Sequence, residues 1–178
     1  MRFVELALSG AFLVEQESRA DERGSFARTF CTAEFARRGL SPAVSQCNVS
    51  FTTRKGTLRG LHYQAPPHQE AKLVRCTRGA IHDVIVDLRP DSPTCRRHFA
   101  MVLRADGPTM LYVPAGFAHG FQTLEDASEV FYQMSEAYAP GHVRGVAWDD
   151  PAFGIVWPAV DPRIMNERDR SYPWLSRT

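Results

Sequence analysis

The middle of this chain is cut into pieces too short for helices. From residue 56 onward, runs rich in apolar and β-branched residues end at turn signals. Residues 72–76 stop at Arg78 and Gly79, 80–88 at Arg89-Pro90-Asp91-Ser92-Pro93, and 99–103 at Asp106-Gly107-Pro108. Residues 110–113 stop at Pro114 to Gly116, and 130–134 precede Tyr138-Ala139-Pro140-Gly141. Strands at this spacing, with almost no 3.6-residue periodicity between them, predict an all-β sandwich or barrel. Earlier segments agree. Residues 3–16 read as one or two strands, Asp21 to Gly24 as a polar turn, and Val44, Gln46, Asn48 and Ser50 as alternate positions of a strand with a polar face. The best helix spans 32–38, with Thr32 as N-cap and Gly39 after its end. The aromatic tail (Trp148, Phe153, Trp157) reads as coil and short helix packed on the barrel. No repeat or linker divides the chain, so residues 1–178 are expected to form one domain.

Charge and cysteine usage exclude several classes. A formal net charge of +1 argues against a nucleic-acid surface. Cys31, Cys47, Cys76 and Cys95 are scattered without C-x-x-C spacing, so zinc and redox motifs find no support. Glu5 and Glu15 interrupt the apolar N-terminal stretch and no run approaches a membrane span, so a cytoplasmic protein without a membrane partner is expected. P-loop, dinucleotide-binding and nucleophile-elbow patterns are absent.

Polar residues sit where a core strand would be aliphatic. In Gly56-Thr-Leu-Arg-Gly-Leu-His-Tyr-Gln64, simple alternation puts Leu58, Gly60, His62 and Gln64 on one face and Arg59, Leu61 and Tyr63 on the other. Asp83 lies between Ile81 and Ile85, and Tyr132 between Val130 and Met134; an ionisable group in such company needs a partner, and His119 is the natural one for Asp83. Arg59, His62, Lys72, Asp83, His119 and Tyr132 can converge in one barrel, although a satisfied core histidine is the plain alternative for His62 alone. Arg23 and Arg59 suit an anion such as phosphate, with surface salt bridging the plain alternative for Arg23. A metal-binding barrel of the cupin type would carry a second His where Gln64 stands. With Glu70 as its carboxylate and His119 after Pro114-Ala115-Gly116, only part of that set is present, and Lys72 would repel a cation.

These stretches, with Lys72 to Val74, Gly79 to Asp83, Val86 to Arg89, Ser92 to Thr94, Pro114 to Phe121 and Trp148 to Pro151, resemble the dTDP-4-dehydrorhamnose 3,5-epimerase family. The resemblance implies a metal-free, cofactor-free cupin-type jelly roll. It also implies a homodimer with strand exchange, acting on a nucleotide-linked 4-keto-6-deoxyhexose. It assigns the base to His62, its orienting carboxylate to Asp169, the cation beside the enolate to Lys72 and the acid to Tyr132. Asp83 and His119 match a second Asp–His pair. Arg23, Gln46, Asn48 and Arg59 match nucleotide and phosphate contacts, and Tyr138 a base-stacking ring. Three departures stand out. Arg28 occupies a position where many members carry Glu, the loop from Asn48 to Gly56 is a residue longer, and Cys95 to His98 replace the usual Gly and Trp. Arg28 puts the rim of the substrate site, and so substrate identity, at issue. A single-centre 3- or 5-epimerase, a non-catalytic sugar-binding cupin and a metal-dependent cupin are the alternatives. Gln64 argues against the last and against the histidine-richer sugar 3,4-ketoisomerases.

Overall fold

The computed structural model describes residues 1–175; the final residues of the expected 1–178 unit lie outside them. Two antiparallel sheets face each other as a jelly roll. The first contains β1 (Arg2–Glu5), β2 (Phe12–Glu15), β10 (Thr109–Val113), β7 (Lys72–Arg78), β12 (Ser128–Met134) and β5 (Gln46–Thr52), in that spatial order. The second contains β13 (Val143–Gly145), β6 (Leu58–Gln64), β11 (Phe117–Thr123), β8 (Ala80–Asp87) and β9 (His98–Arg104). A hairpin of β3 (Arg19–Asp21) and β4 (Gly24–Phe26) stands apart from both sheets. The turn signals thus mark real strand ends, and the all-β expectation holds.

Alternation builds three apolar layers. Val74, Ile81, Ile85, Leu111, Phe121 and Val130 meet between the sheets. The outer face of the first sheet is covered at one end by α1 (Thr32–Ala36), where Phe35 packs on Phe3, Phe30 and Tyr112. The outer face of the second sheet is covered by the tail, with Val146, Phe153 and Trp157 on Leu61, Val84 and Ala118. The helix is shorter than the expected 32–38, and its cap lies one residue earlier than expected. Cys31 is the N-cap and makes no side-chain cap bond, while Thr32 is the first helical residue. Packing of Phe35 secures this short helix, together with the backbone bonds that Gly39, at φ +69°, closes at its C-terminal end.

The pairing of β6 with β11 departs from simple alternation. His119 lies opposite His62 but Phe121 lies opposite Arg59, so β6 carries one residue more than β11 over that interval. This β-bulge returns Arg59 to the face of His62. The expected separation of Arg59 and His62 onto opposite faces is therefore corrected. Gly60, at φ +124°, and Gly120 permit it: a Cβ on Gly60 would come 2.6 Å from the Gly120 Cα, and one on Gly120 2.6 Å from the Arg59 carbonyl oxygen.

Candidate active site

Where the inward faces of β5, β6, β7, β11 and β12 run past the end of the core, they enclose a cavity of about 480 Å³, in the range of small-molecule sites. Several of the polar side chains there continue a strand face whose other positions are core. Lys72 precedes Val74 and Cys76, His119 lies between Phe117 and Phe121, and Tyr132 follows Val130. The cavity thus inherits the rigidity of both sheets.

His62 is held from the tail. Its Nε2 lies 2.8 Å from Oδ1 of Asp169, the residue that α2 (Glu167–Arg170) buries against the barrel. The Gly60 N–H donates to Oδ2 of the same carboxylate (3.0 Å), and the Asn166 side chain caps α2 by accepting from the Asp169 N–H (2.6 Å). Burial pushes the Asp169 carboxyl up. The His62 hydrogen bond and charge, the Gly60 N–H and the Arg168 charge outweigh it and hold the group below the ordinary carboxylate value. In the neutral ring, with Nε2 donating to this carboxylate, Nδ1 is left with its lone pair, and the ring keeps partial access to the cavity. The Tyr172 ring stands edge-on to His62, with centroids 5.7 Å apart.

Lys72 is buried and ion-paired to Glu70, Nζ to Oε1 at 2.9 Å. Glu70 is therefore committed to a cation on the same strand edge and not to a metal-ligand set. Among the described residues no group of three or more His, Cys, Asp or Glu side chains has metal-holding geometry. Tyr132 is pushed up by burial; Arg59 pulls its phenol down and Glu70 pushes it further up, and the balance leaves it above the usual tyrosine value. His119 Nε2 lies 2.8 Å from Asp83 Oδ1, so the expected pair forms, with His119 at the cavity wall and Asp83 fully buried behind it. Asp83 Oδ2 has no hydrogen-bond partner among the described residues.

The remaining expected residues divide. Gln46, Asn48, Arg59 and Tyr138 line the cavity, and Gln46 Oε1 accepts from the Tyr138 N–H (2.7 Å), tying the exposed ring to β5. Arg23 does not join them. It sits at the tip of the β3–β4 hairpin, 84% exposed and bonded to Asp21. The hairpin pairs with neither sheet, so within one chain nothing carries Arg23 to the cavity. Arg28 also lies outside, 3.1 Å from Glu34. Two residues near the cavity were not expected from the sequence: Arg168, which lines it beside Asp169, and Tyr172, which stands edge-on to His62 and whose hydroxyl accepts from Arg168 Nε (2.6 Å). Their only signal was proximity in sequence to Asp169.

A sequence profile described as dTDP-4-dehydrorhamnose 3,5-epimerase matches residues 5–177. The chain belongs to this family. A relative of that name from Methanothermobacter thermautotrophicus is 43% identical over 173 residues, covering 96% of this chain and 92% of the relative. One from Sinorhizobium fredii is 40% identical over 175 residues, covering 98% and 90%. Among solved structures, the Bacillus anthracis epimerase with TDP and pyrophosphate bound superposes with a TM-score of 0.92 at 40% identity, covering 98% of this chain and 99% of that one. A 3′-monoepimerase from Streptomyces bikiniensis in complex with dTDP-quinovose gives 0.86 at 34% identity, covering 95% and 85%.

Proposed function

We propose that this chain inverts C3 and C5 of dTDP-4-dehydro-6-deoxy-D-glucose, giving dTDP-4-dehydro-L-rhamnose. The observation that supports the reading is that His62 and Tyr132, the proposed base and acid, stand on opposite walls. His62 comes from β6 of one sheet and Tyr132 from β12 of the other, and both line one cavity. Facing sheets stand about 10 Å apart, room for a hexose ring with a proton taken from one side and returned from the other.

The chemistry needs both groups and a cation. A proton beside a ketone is far less acidic than an imidazolium, so removal requires that the enolate be stabilised as it forms. Lys72 supplies positive charge for the C4 oxygen; of its three N–H groups one meets Glu70, one approaches the His62 carbonyl (3.5 Å) and the third has no partner among the described residues. His62 takes the proton at Nδ1 while Asp169 supports the imidazolium. Tyr132 delivers a proton to the other face, and its raised phenol keeps that proton until it is needed. The ketone itself activates the C–H bonds, so the steps are proton transfers. Arg59, Gln46 and Asn48 suit the diphosphate and nucleoside, and Tyr138 the base.

A second subunit completes the reading. The β3–β4 hairpin projects Arg23 and the 74% exposed Phe26, and β5 is a sheet edge with Val49 and Phe51 exposed. In a homodimer with exchanged hairpins, Arg23 would reach the partner's cavity and the apolar edge would be covered.

Incubation with the dTDP-4-keto sugar in deuterated water, followed by NMR, tests the reaction. Wild type should exchange and invert both C3 and C5; His62→Ala should lose exchange at both while retaining its fold. Undiminished exchange in that variant overturns the assignment of the base. Exchange at one carbon alone would instead make this chain a single-centre epimerase, as the similarity to the 3′-monoepimerase allows.

A further inference from the structure

The reaction described above leaves Glu70 without a role, although it lines the cavity and is buried to 5% exposure. We propose that Glu70 is a positioning residue for this reaction: it fixes the Lys72 ammonium at the cavity wall and sets the electrostatic balance at Tyr132. The inference rests on the epimerase reading for its effect on turnover, but not for its effect on Tyr132.

Both oxygens of Glu70 are committed. Oε1 lies 2.9 Å from Lys72 Nζ, and Oε2 accepts the N–H of Gln64 (3.2 Å), so the carboxylate is anchored on the backbone of β6, two residues from His62. A buried ammonium without a counter-charge is strongly disfavoured, and removing one member of a buried pair leaves the other uncompensated. Apart from Glu70, Lys72 has only the long contact to the His62 carbonyl among the described residues. Glu70 thus determines where the cation sits relative to the base.

Tyr132 faces several charges. Arg59 and His62 line its cavity from β6, His119 from β11 with Asp83 behind it, and Arg168 and Asp169 from α2; Tyr138 stands at the rim, and Glu136 pairs with His68 (3.6 Å). Lys72, on the strand paired with β12, and Glu70 line the same cavity; Arg59 favours the phenolate there and Glu70 opposes it. Without Glu70 the pull of Arg59 on the phenol would meet less opposition.

Glu70→Gln separates shape from charge, because the amide oxygen can still accept from the Gln64 N–H. The variant should lower kcat by about tenfold or more with KM within about twofold, as expected when a charge that acts on the transition state is displaced. The alkaline limb of its kcat/KM profile should move to lower pH. Its Tyr132 phenolate absorbance, isolated by difference from a matched Tyr132→Phe variant, should also rise at lower pH than in wild type. Wild-type kcat with an unmoved titration overturns the proposal. If the unpaired Lys72 prevents folding, Glu70→Gln is combined with Lys72→Met and the titration compared with Lys72→Met alone. A shift to lower pH supports Glu70's role at Tyr132, and none overturns it. On that background Glu70→Gln should cost no further turnover; an undiminished loss shows that Glu70 does not act through Lys72. Failure of wild type to convert a 4-keto nucleotide sugar would sink the epimerase reading, while the tyrosine titration would still decide Glu70.

Discussion

At the scale of single residues, the site is built on side chains that interrupt apolar faces, and that is why most of them could be read in advance. Lys72, Asp83, His119 and Tyr132 each break a run of inward aliphatic or aromatic positions. Asp169 breaks nothing: it lies in a four-residue helix, and its contact with His62 spans 107 residues, so only family resemblance pointed to it. Its importance follows from geometry. Asp169→Asn should keep the fold yet lower kcat by about a hundredfold or more, since an amide can hold the imidazole in place but gives its cation no compensating charge. Steady-state turnover beside a thermal melt checks this; near-wild-type turnover would deny Asp169 its role. The lowered carboxyl also fixes a sign. Asp169's ionic contribution to stability is present above the ordinary carboxylate value of about 4 and is lost as pH falls through the lower folded value.

Elements were legible where turn chemistry announces them, and illegible where two strands negotiate their contact. Alternation along 56–64 placed Arg59 and His62 on opposite faces because period 2 assumes an unbroken ladder. The bulge against β11 adds one residue and reverses the inference for Arg59. The clue lay in two distant glycines, Gly60 and Gly120, whose meeting no local pattern reveals. Gly60→Ala should therefore be costly, because the new Cβ meets backbone at 2.6 Å and its φ of +124° is hostile to a side chain. A loss of about 3 kcal/mol, or about 10 °C in Tm, is expected. Calorimetry showing a wild-type Tm would mean that the strands separate easily. The hairpin β3–β4 was foreseen as a turn at Asp21 to Gly24, but its detachment from both sheets was not, since nothing local says which edge a short strand will find.

For the whole molecule, class and layering follow from strand spacing, whereas strand order does not. Neighbours such as β13 and β6, or β12 and β5, are far apart in sequence and are chosen by which apolar faces can be buried together. The exposed hairpin bearing Arg23 gives the proposed dimer a direct test. Arg23→Ala and His62→Ala chains, each impaired alone, are unfolded, mixed and refolded together. If Arg23 crosses to the partner's cavity, half of the dimers contain one fully equipped site, and activity should return to about a quarter of wild type. No recovery would keep Arg23 out of the partner's site.

Gln64 carries a last consequence, for anyone wishing to re-engineer this barrel. Replacing it with His, to supply the imidazole that a metal-binding relative would have, looks like a one-residue conversion. Yet its amide nitrogen donates to the carbonyls of His68 and Ala137, and its oxygen accepts from the Ala139 N–H. The swap would cut two tethers of the segment that presents Tyr138 and a third to the loop at His68, and it would set the new ligand in a cavity that already holds a lysine. A route to metal chemistry in this scaffold has to rebuild that segment first.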